Sequence, residues 1–247
     1  MIFILLPCLN EAENLKIIIP EIHKLFQNNN YVYKILVCYD CSTDNTENIV
    51  NNFKKKSINI ELLDYKNKMG LGIAFLRLFK EAVKQKKTDN DIIITLDADN
   101  THDPNGILLL LNKINSGYDL AIQSRFCKNS LITGFSNFRK LISLSISIVL
   151  RIIFPVGENI KDYTSSYRAY KISILEKAFE KFKDNFITET EFTYTIETII
   201  KINTITKKIT ETPLKYRYDK KIGRSKLKLI KNGYRFIILI TKLFFLK

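Results

Sequence analysis

A chain of 247 residues, 46% of them hydrophobic, is long enough to bury a sizeable core and fits one large α/β domain with an appendage better than two full domains. Lysine and arginine number 39 against 25 acidic residues, a formal charge of +14 that suits nucleic acid, an anionic membrane or a phosphorylated substrate. Four scattered cysteines exclude a disulfide framework and favour a reducing cytoplasm, and the Cys38-x-x-Cys41 pair reads as packed strand cysteine because Cys38 lies inside the apolar run "YKILVCYD".

The chain opens on "IFILLP", an apolar stretch too short for a signal peptide and without a basic flank, so it is expected to be a strand. A helical pattern follows in "NLKIIIPEIHKLF", then strands in "YKILVCYD" and "NIELLDY", a helix in "GIAFLRLFKEAVKQ", a strand in "DIIITLD", a helix in "GILLLLNKI" and a strand in "DLAIQSRF". Strands this apolar are buried on both faces, which predicts a doubly wound, mostly parallel sheet covered by helices. After Phe126 come an amphipathic stretch, the compact "DYTSSYRAYK", helical patterns in "ISILEKAFEKF" and "EFTYTIETIIK", a strand-like "ITKKITETPLKYRY" and a basic tail.

No apolar run is long enough to span a bilayer. The apolar runs Leu141–Pro155 and Phe236–Lys247 are each interrupted by a cation, Arg151 and Lys242, and the segments at about 138–155 and 227–247 that contain them are expected to be amphipathic and to lie on an anionic membrane or pack on the core. Nucleic acid is disfavoured, because the aromatics sit in apolar runs and are not interleaved with a basic face.

Ligands of doubly wound sheets bind outside the carboxyl ends of the strands, and Asn10, Glu11, Asp40, Asp97, Asp99 and Arg125 gather at those ends. In "LDADNTHDP" the carboxylates of Asp97 and Asp99 leave an extended backbone on one face, and at that spacing they repel unless a cation lies between them. Mg²⁺ or Mn²⁺, completed by substrate phosphate and water, fits such a pair; a simple turn before the next helix is the other reading, and for Asp103 it is the better one. Gly70 and Gly72 either bring a helix start near phosphates or only pack, and they form no dinucleotide fingerprint. His23 and His102 have no partner at ligand spacing, and His102 is expected in a plain loop. Glu191 and Glu197 read as a solvated helix face, with a catalytic-base role only if the acceptor is a sugar hydroxyl.

In order along the chain, "LPCLNEAENL", "YDCSTDNT", "MGLGIAF", "LDADNTHDP", "SRF", "DYTSSYRAY" and "TPLKYRYDKKIGRSKL" resemble the motif series of the family 2 glycosyltransferases of the GT-A fold, most closely the polyprenyl-phosphate (dolichol-phosphate) mannosyltransferase branch. The resemblance implies a GT-A domain over 1–226 and a membrane-surface helix over 227–247, at the cytoplasmic face of a membrane. It implies inverting, metal-dependent transfer of a hexose, mannose in that branch, from a GDP or UDP sugar to a polyprenyl phosphate. A family 2 enzyme acting on a sugar hydroxyl of a surface glycan is the alternative.

Carried over residue by residue, the resemblance places Pro7, Leu9, Glu11, Cys38 and Asp40 around the nucleoside. Asp97, Asp99 and Thr101 fall at the metal, with Leu96 and Ala98 lining it. Arg125, Lys220 and Lys226 would face the phosphates, and Arg139 and Ser143 the acceptor phosphate. Asp99, Arg125 and Arg139 would carry the catalysis. The chain departs from the family pattern at Tyr39, Cys41, Thr101, Ser166 and Lys220, where the family has aspartate, glycine, glutamine, glycine and arginine.

Overall fold

The computed structural model describes residues 1–65, 69–134, 137–223 and 229–244. In chain order the elements are β1 (Ile2–Cys8), α1 (Ala12–Asn28), β2 (Tyr33–Asp40), α2 (Thr46–Lys55), β3 (Ile60–Tyr65), α3 (Leu71–Lys84), β4 (Ile92–Thr95), α4 (Gly106–Asn115) and β5 (Leu120–Ser124). There follow β6 (Leu131–Thr133), α5 (Asn137–Ile153), β7 (Arg168–Lys171), α6 (Ile172–Phe182), α7 (Tyr194–Asn203), β8 (Ile209–Pro213), β9 (Lys215–Arg217) and α8 (Leu229–Phe244). Seven strands form one sheet in the order β3-β2-β1-β4-β7-β5-β8, and β6 pairs with β9 in a small second sheet.

The apolar strands behave as their composition requires. Every residue of β1 is buried, and its side chains alternate between two cores. Phe3 and Leu5 face a core shared with Phe75, Leu78 and Phe79 of α3 and Leu175 of α6, while Ile2, Ile4 and Leu6 face one shared with Leu15, Ile18 and Ile22 of α1 and Leu110 of α4. Each such side chain contributes about 1.5–3 kcal/mol by leaving water. The sheet is mixed, however: β7 runs antiparallel to both β4 and β5. Its four residues come from "YRAYK", a strand shorter than the apolar runs elsewhere, and α2 is likewise faint in the sequence because it buries only Thr46, Ile49 and Val50.

Two helices stand apart. α5 packs through Leu150, yet Leu141 is 61% and Ile152 77% exposed. α8 packs through Leu239 and Leu243, and exposes Ile237, Ile238 and Phe244. No helix among the described residues is long and apolar enough to cross a membrane.

Candidate functional site

The chain runs from β1 outward to β2 and β3, then returns to place β4 on the other side of β1. A crevice opens where the order reverses, and the loops at the carboxyl ends of β1, β2 and β4 border it.

The first two loops are laced together. Asn10 Oδ1 accepts from the Thr43 amide at 2.7 Å, the Asn10 amide donates to Ser42 Oγ at 2.8 Å, and Asp44 Oδ2 accepts the amide of Ala12, the first residue of α1, at 2.9 Å. Burial pushes the Asp44 carboxyl up, but hydrogen bonds from Thr46 and Ala12 outweigh it and hold it below the usual range. Pro7 and Cys38 are buried in their strands and Leu9 is half-buried. Burial, reinforced by Asp40, pushes the Cys38 thiol up to about 12, which removes it from redox chemistry near neutral pH. Asp40 accepts the amides of Met69 at 2.8 Å and Gly70 at 3.2 Å, so it anchors the start of α3. Gly70 has φ 87°, and a Cβ there would lie 2.5 Å from the Thr190 carbonyl oxygen.

After β4 the backbone carries Asp97 and Asp99 into the crevice over the buried Leu96 and Ala98. Asp97 accepts a hydrogen bond from Ser166 Oγ at 2.9 Å, and its carboxyl is pushed up to about 7 by burial and then by the neighbouring Asp99 charge. Asp99 Oδ1 accepts from the Thr101 hydroxyl at 2.6 Å and the Thr101 amide at 3.2 Å, and Lys221 Nζ sits on Oδ2. Burial alone would raise Asp99; the Lys221 charge overrides it and holds the carboxyl below its usual range. Thr101, expected as a metal ligand, donates hydrogen bonds to Asp99 from its hydroxyl and its amide and so orients that carboxylate. Ser166, standing where the family has glycine, adds a donor to Asp97.

No group of three or more His, Cys, Asp and Glu gathers at a metal-binding distance among the described residues. A divalent cation here would therefore be held by Asp97 and Asp99 and completed by phosphate and water, as suits Mg²⁺. The residues fit it: the half-buried Asp97 and the buried Asp99 act on each other as like charges while Lys221 contacts only Asp99, an arrangement that a cation relieves.

Arg125 leaves β5 and is clamped by Asp162, Nε to Oδ2 at 2.8 Å and a terminal nitrogen to Oδ1 at 2.6 Å, with a further bond to Thr164. The Arg125 side chain is 16% exposed and that of Asp162 fully buried. Burial raises the Asp162 carboxyl, and the guanidinium more than reverses this. Asp162 is itself held through its amide, which donates to Glu211 Oε1 at 2.6 Å.

The closing motif contributes differently from its alignment. Lys220 is exposed, whereas the next residue, Lys221, reaches Asp99. Glu11 accepts from Asn14 Nδ2 at 2.6 Å and its charge acts on Lys221, so it belongs to this end of the crevice. On α5 the hydroxyls of Ser143 and Ser147 are buried with no partner among the described residues, a state that a polar ligand would relieve. Lys226 and the Arg139 side chain lie outside the described residues.

His102, expected in a plain loop, and Lys221 and Tyr216, to which the sequence assigns no role, all reach the aspartate block. His102 is 3% exposed, its Nδ1 accepts the Asp97 amide at 3.2 Å, and its ring lies against Tyr167 and Tyr216. Burial depresses it to about 4, so it is neutral and its proton sits on Nε2. The only signal was its place inside the aspartate block. Tyr216 ends the P-x-x-Y motif and bonds Thr101, which ties β9 to the aspartates.

The sequence profile of "Glycosyl transferase family 2" matches residues 3–179. The chain is 32% identical over 173 residues to a dolichol-phosphate mannosyltransferase of Pyrococcus furiosus, covering 70% of this chain and 47% of the relative. It is 29% identical over 175 residues to a polyprenol monophosphomannose synthase of Mycolicibacterium smegmatis, covering 70% and 63%. The aligned stretch thus spans about half to somewhat under two thirds of these relatives. Among solved structures, glucosyl-3-phosphoglycerate synthase from Mycobacterium tuberculosis in complex with Mn²⁺, uridine diphosphate and phosphoglyceric acid superposes with a TM-score of 0.66 at 18% identity, over 98% of this chain and 77% of that one. That likeness concerns the fold.

Proposed function

The chain belongs to glycosyl transferase family 2, and from that premise we propose that it is a GT-A enzyme moving a hexose, mannose in the relatives it resembles, from a GDP or UDP sugar to a polyprenyl phosphate at a membrane surface, with inversion and with Mg²⁺ or Mn²⁺. The observation that carries this reading is the pair of half-buried Asp97 and buried Asp99 at the sheet's reversal point, whose charge is offset within contact distance, among the described residues, by Lys221. A divalent cation held by those carboxylates would neutralise charge developing on the leaving diphosphate.

The chain's own groups supply the rest. The laced loops after β1 and β2 pre-form a cradle in which Asp40, Glu11 and the backbone around Leu9 surround the nucleoside. Asp162 holds the Arg125 guanidinium in one orientation, so its positive charge is already in place when phosphate charge builds. A phosphate monoester acceptor has its second pKa at about 6 and is largely ionised at neutral pH, so the reaction needs no strong general base. Consistent with that, Glu197 is taken up by Thr188, the Glu189 amide and Lys201, which leaves the alternative of a sugar-hydroxyl acceptor without it. The exposed apolar faces of α5 and α8, with Arg151 and Lys242 nearby in sequence, support seating at a headgroup surface where a lipid phosphate is found. The GT-A domain over 1–226 and the surface helix over 227–247 are part of the same proposal.

Purified protein incubated with Mn²⁺, labelled GDP and UDP sugars and undecaprenyl phosphate should give a labelled lipid. No lipid product with any common donor overturns the acceptor, and transfer to a saccharide in its place supports the alternative.

A further inference from the structure

The segment after β9 meets the aspartates through one side chain and is anchored by another. Lys221 Nζ contacts Asp99 Oδ2, both side chains being 12% exposed. One residue on, the Ile222 amide donates to Asn14 Oδ1 at 3.2 Å, and Asn14 Nδ2 donates back to the Ile222 carbonyl at 3.1 Å. The side chain of Asn14 thereby pairs with a peptide unit as a neighbouring strand would. Asn14 is 2% exposed, and its Nδ2 also donates to Glu11 Oε2 at 2.6 Å. Its orientation is fixed by those bonds, since a flipped amide would set NH₂ against N–H and oxygen against both a carbonyl and a carboxylate.

The partners of Asp99 are divided. Oδ1 already accepts two bonds from Thr101, which leaves Oδ2 as the oxygen with a cation on it. An ammonium and a divalent ion cannot both contact one oxygen without strong mutual repulsion. Without any cation, the half-buried Asp97 and the buried Asp99 would act on each other uncompensated, a costly state.

We propose that Lys221 is a resident counter-ion of Asp99 that competes with the divalent metal for Oδ2, and that Asn14 is the positioning residue whose clasp on Ile222 sets how strongly the lysine competes. The inference rests on the metal-dependent reading above. It explains why a buried asparagine on α1 spends its hydrogen bonds on a segment 208 residues away in the chain. The lysine keeps the empty pair tolerable and preformed, and the metal enters by exchange with it.

Direct titration of the full chain with Mn²⁺ alone, read by electron paramagnetic resonance, tests the exchange. Lys221→Ala should bind Mn²⁺ about five-fold more tightly, because the competing state is removed. Asn14→Ala keeps every charge and should also tighten binding, by a smaller factor. The double variant should bind no more tightly than Lys221→Ala, since the clasp acts only through the lysine. Should either alanine variant fail to fold, Lys221→Met and Asn14→Ser serve in its place. Unchanged or weaker Mn²⁺ binding in the Lys221 variant overturns the inference, as does an Asn14 effect that persists in full without Lys221. In both of those cases a wild-type protein whose Mn²⁺ binding is lost in Asp99→Asn leaves the metal reading standing. A wild-type protein that binds no Mn²⁺ in any variant overturns the reading and the inference together.

Discussion

The crevice at the ends of β1, β2 and β4 and the pair of helices α5 and α8 break the burial rule in opposite directions. In the crevice Asp97, Asp99, Arg125 and Asp162 are taken from water, and each is matched to specific donors or an opposite charge. On α5 and α8, Leu141, Ile152 and Ile237 are left in it, at 61%, 77% and 62% exposure, although each helix buries a second stripe on the core. Buried charge costs free energy unless it is paired, and contiguous exposed apolar surface is seldom kept without a use. Under the proposed function each departure has a use: a cation and a phosphate in the first region, a lipid surface in the second. The two regions should also fail differently when altered, because one is held by short polar contacts and the other leaves an apolar face outside the core.

The largest contrast comes from the crevice. Asp99→Asn should lower sugar transfer by about 10²–10³-fold, the loss typical of removing one preorganised electrostatic group. Measured transfer within a few-fold of wild type would detach Asp99 from the chemistry. Next, Asp162→Ala strands the mostly buried Arg125 guanidinium and should cost about 3 kcal/mol in urea unfolding, the low end for a buried pair. The same pair sets an acid limit. Because Arg125 holds the folded Asp162 carboxyl below its unfolded value, the contribution is fully present above the unfolded carboxylate range near pH 4 and is lost as pH falls through the folded value. In Asp162→Ala that part of the acid slope should vanish from unfolding curves taken between about pH 2 and 5.

The smallest effect on folding is expected at the helices. Ile152→Glu, on the most exposed apolar side chain of α5, should shift unfolding by no more than about 0.5 kcal/mol, while flotation with anionic vesicles falls several-fold. A fall in unfolding stability of several kcal/mol with unchanged flotation would reverse the comparison and make α5 a core helix.

How much of this was legible along the chain differs between the regions for the same reason. Asp97 and Asp99 stand out in the sequence because two carboxylates so close together after an apolar strand repel each other unless a cation is near, and β1, β2 and β4 are apolar on both faces. Residues that act by completing a neighbour's hydrogen bonds leave no such pattern. Ser166 donates to Asp97 from 69 residues away, Lys221 reaches Asp99 from 122 and Asn14 holds Ile222 from 208, and nothing in the local spacing marks any of them. The resemblance places Lys220 at the phosphates; in the structure Lys220 is exposed and the adjacent Lys221 contacts Asp99, a contact that only the path of the chain after β9 sets.

Composition and periodicity by themselves determined the covered sheet, the strand ends that carry charge and the amphipathic character of the segments that became α5 and α8, because burial of apolar side chains is a local, repeating demand. Tertiary structure alone decided that β7 enters antiparallel between β4 and β5, that the Thr101 hydroxyl donates a hydrogen bond to Asp99, and which lysine contacts Asp99. Those outcomes depend on distances between groups far apart in sequence, and hydrogen bonds and ion pairs are sensitive to such distances at the scale of an ångström.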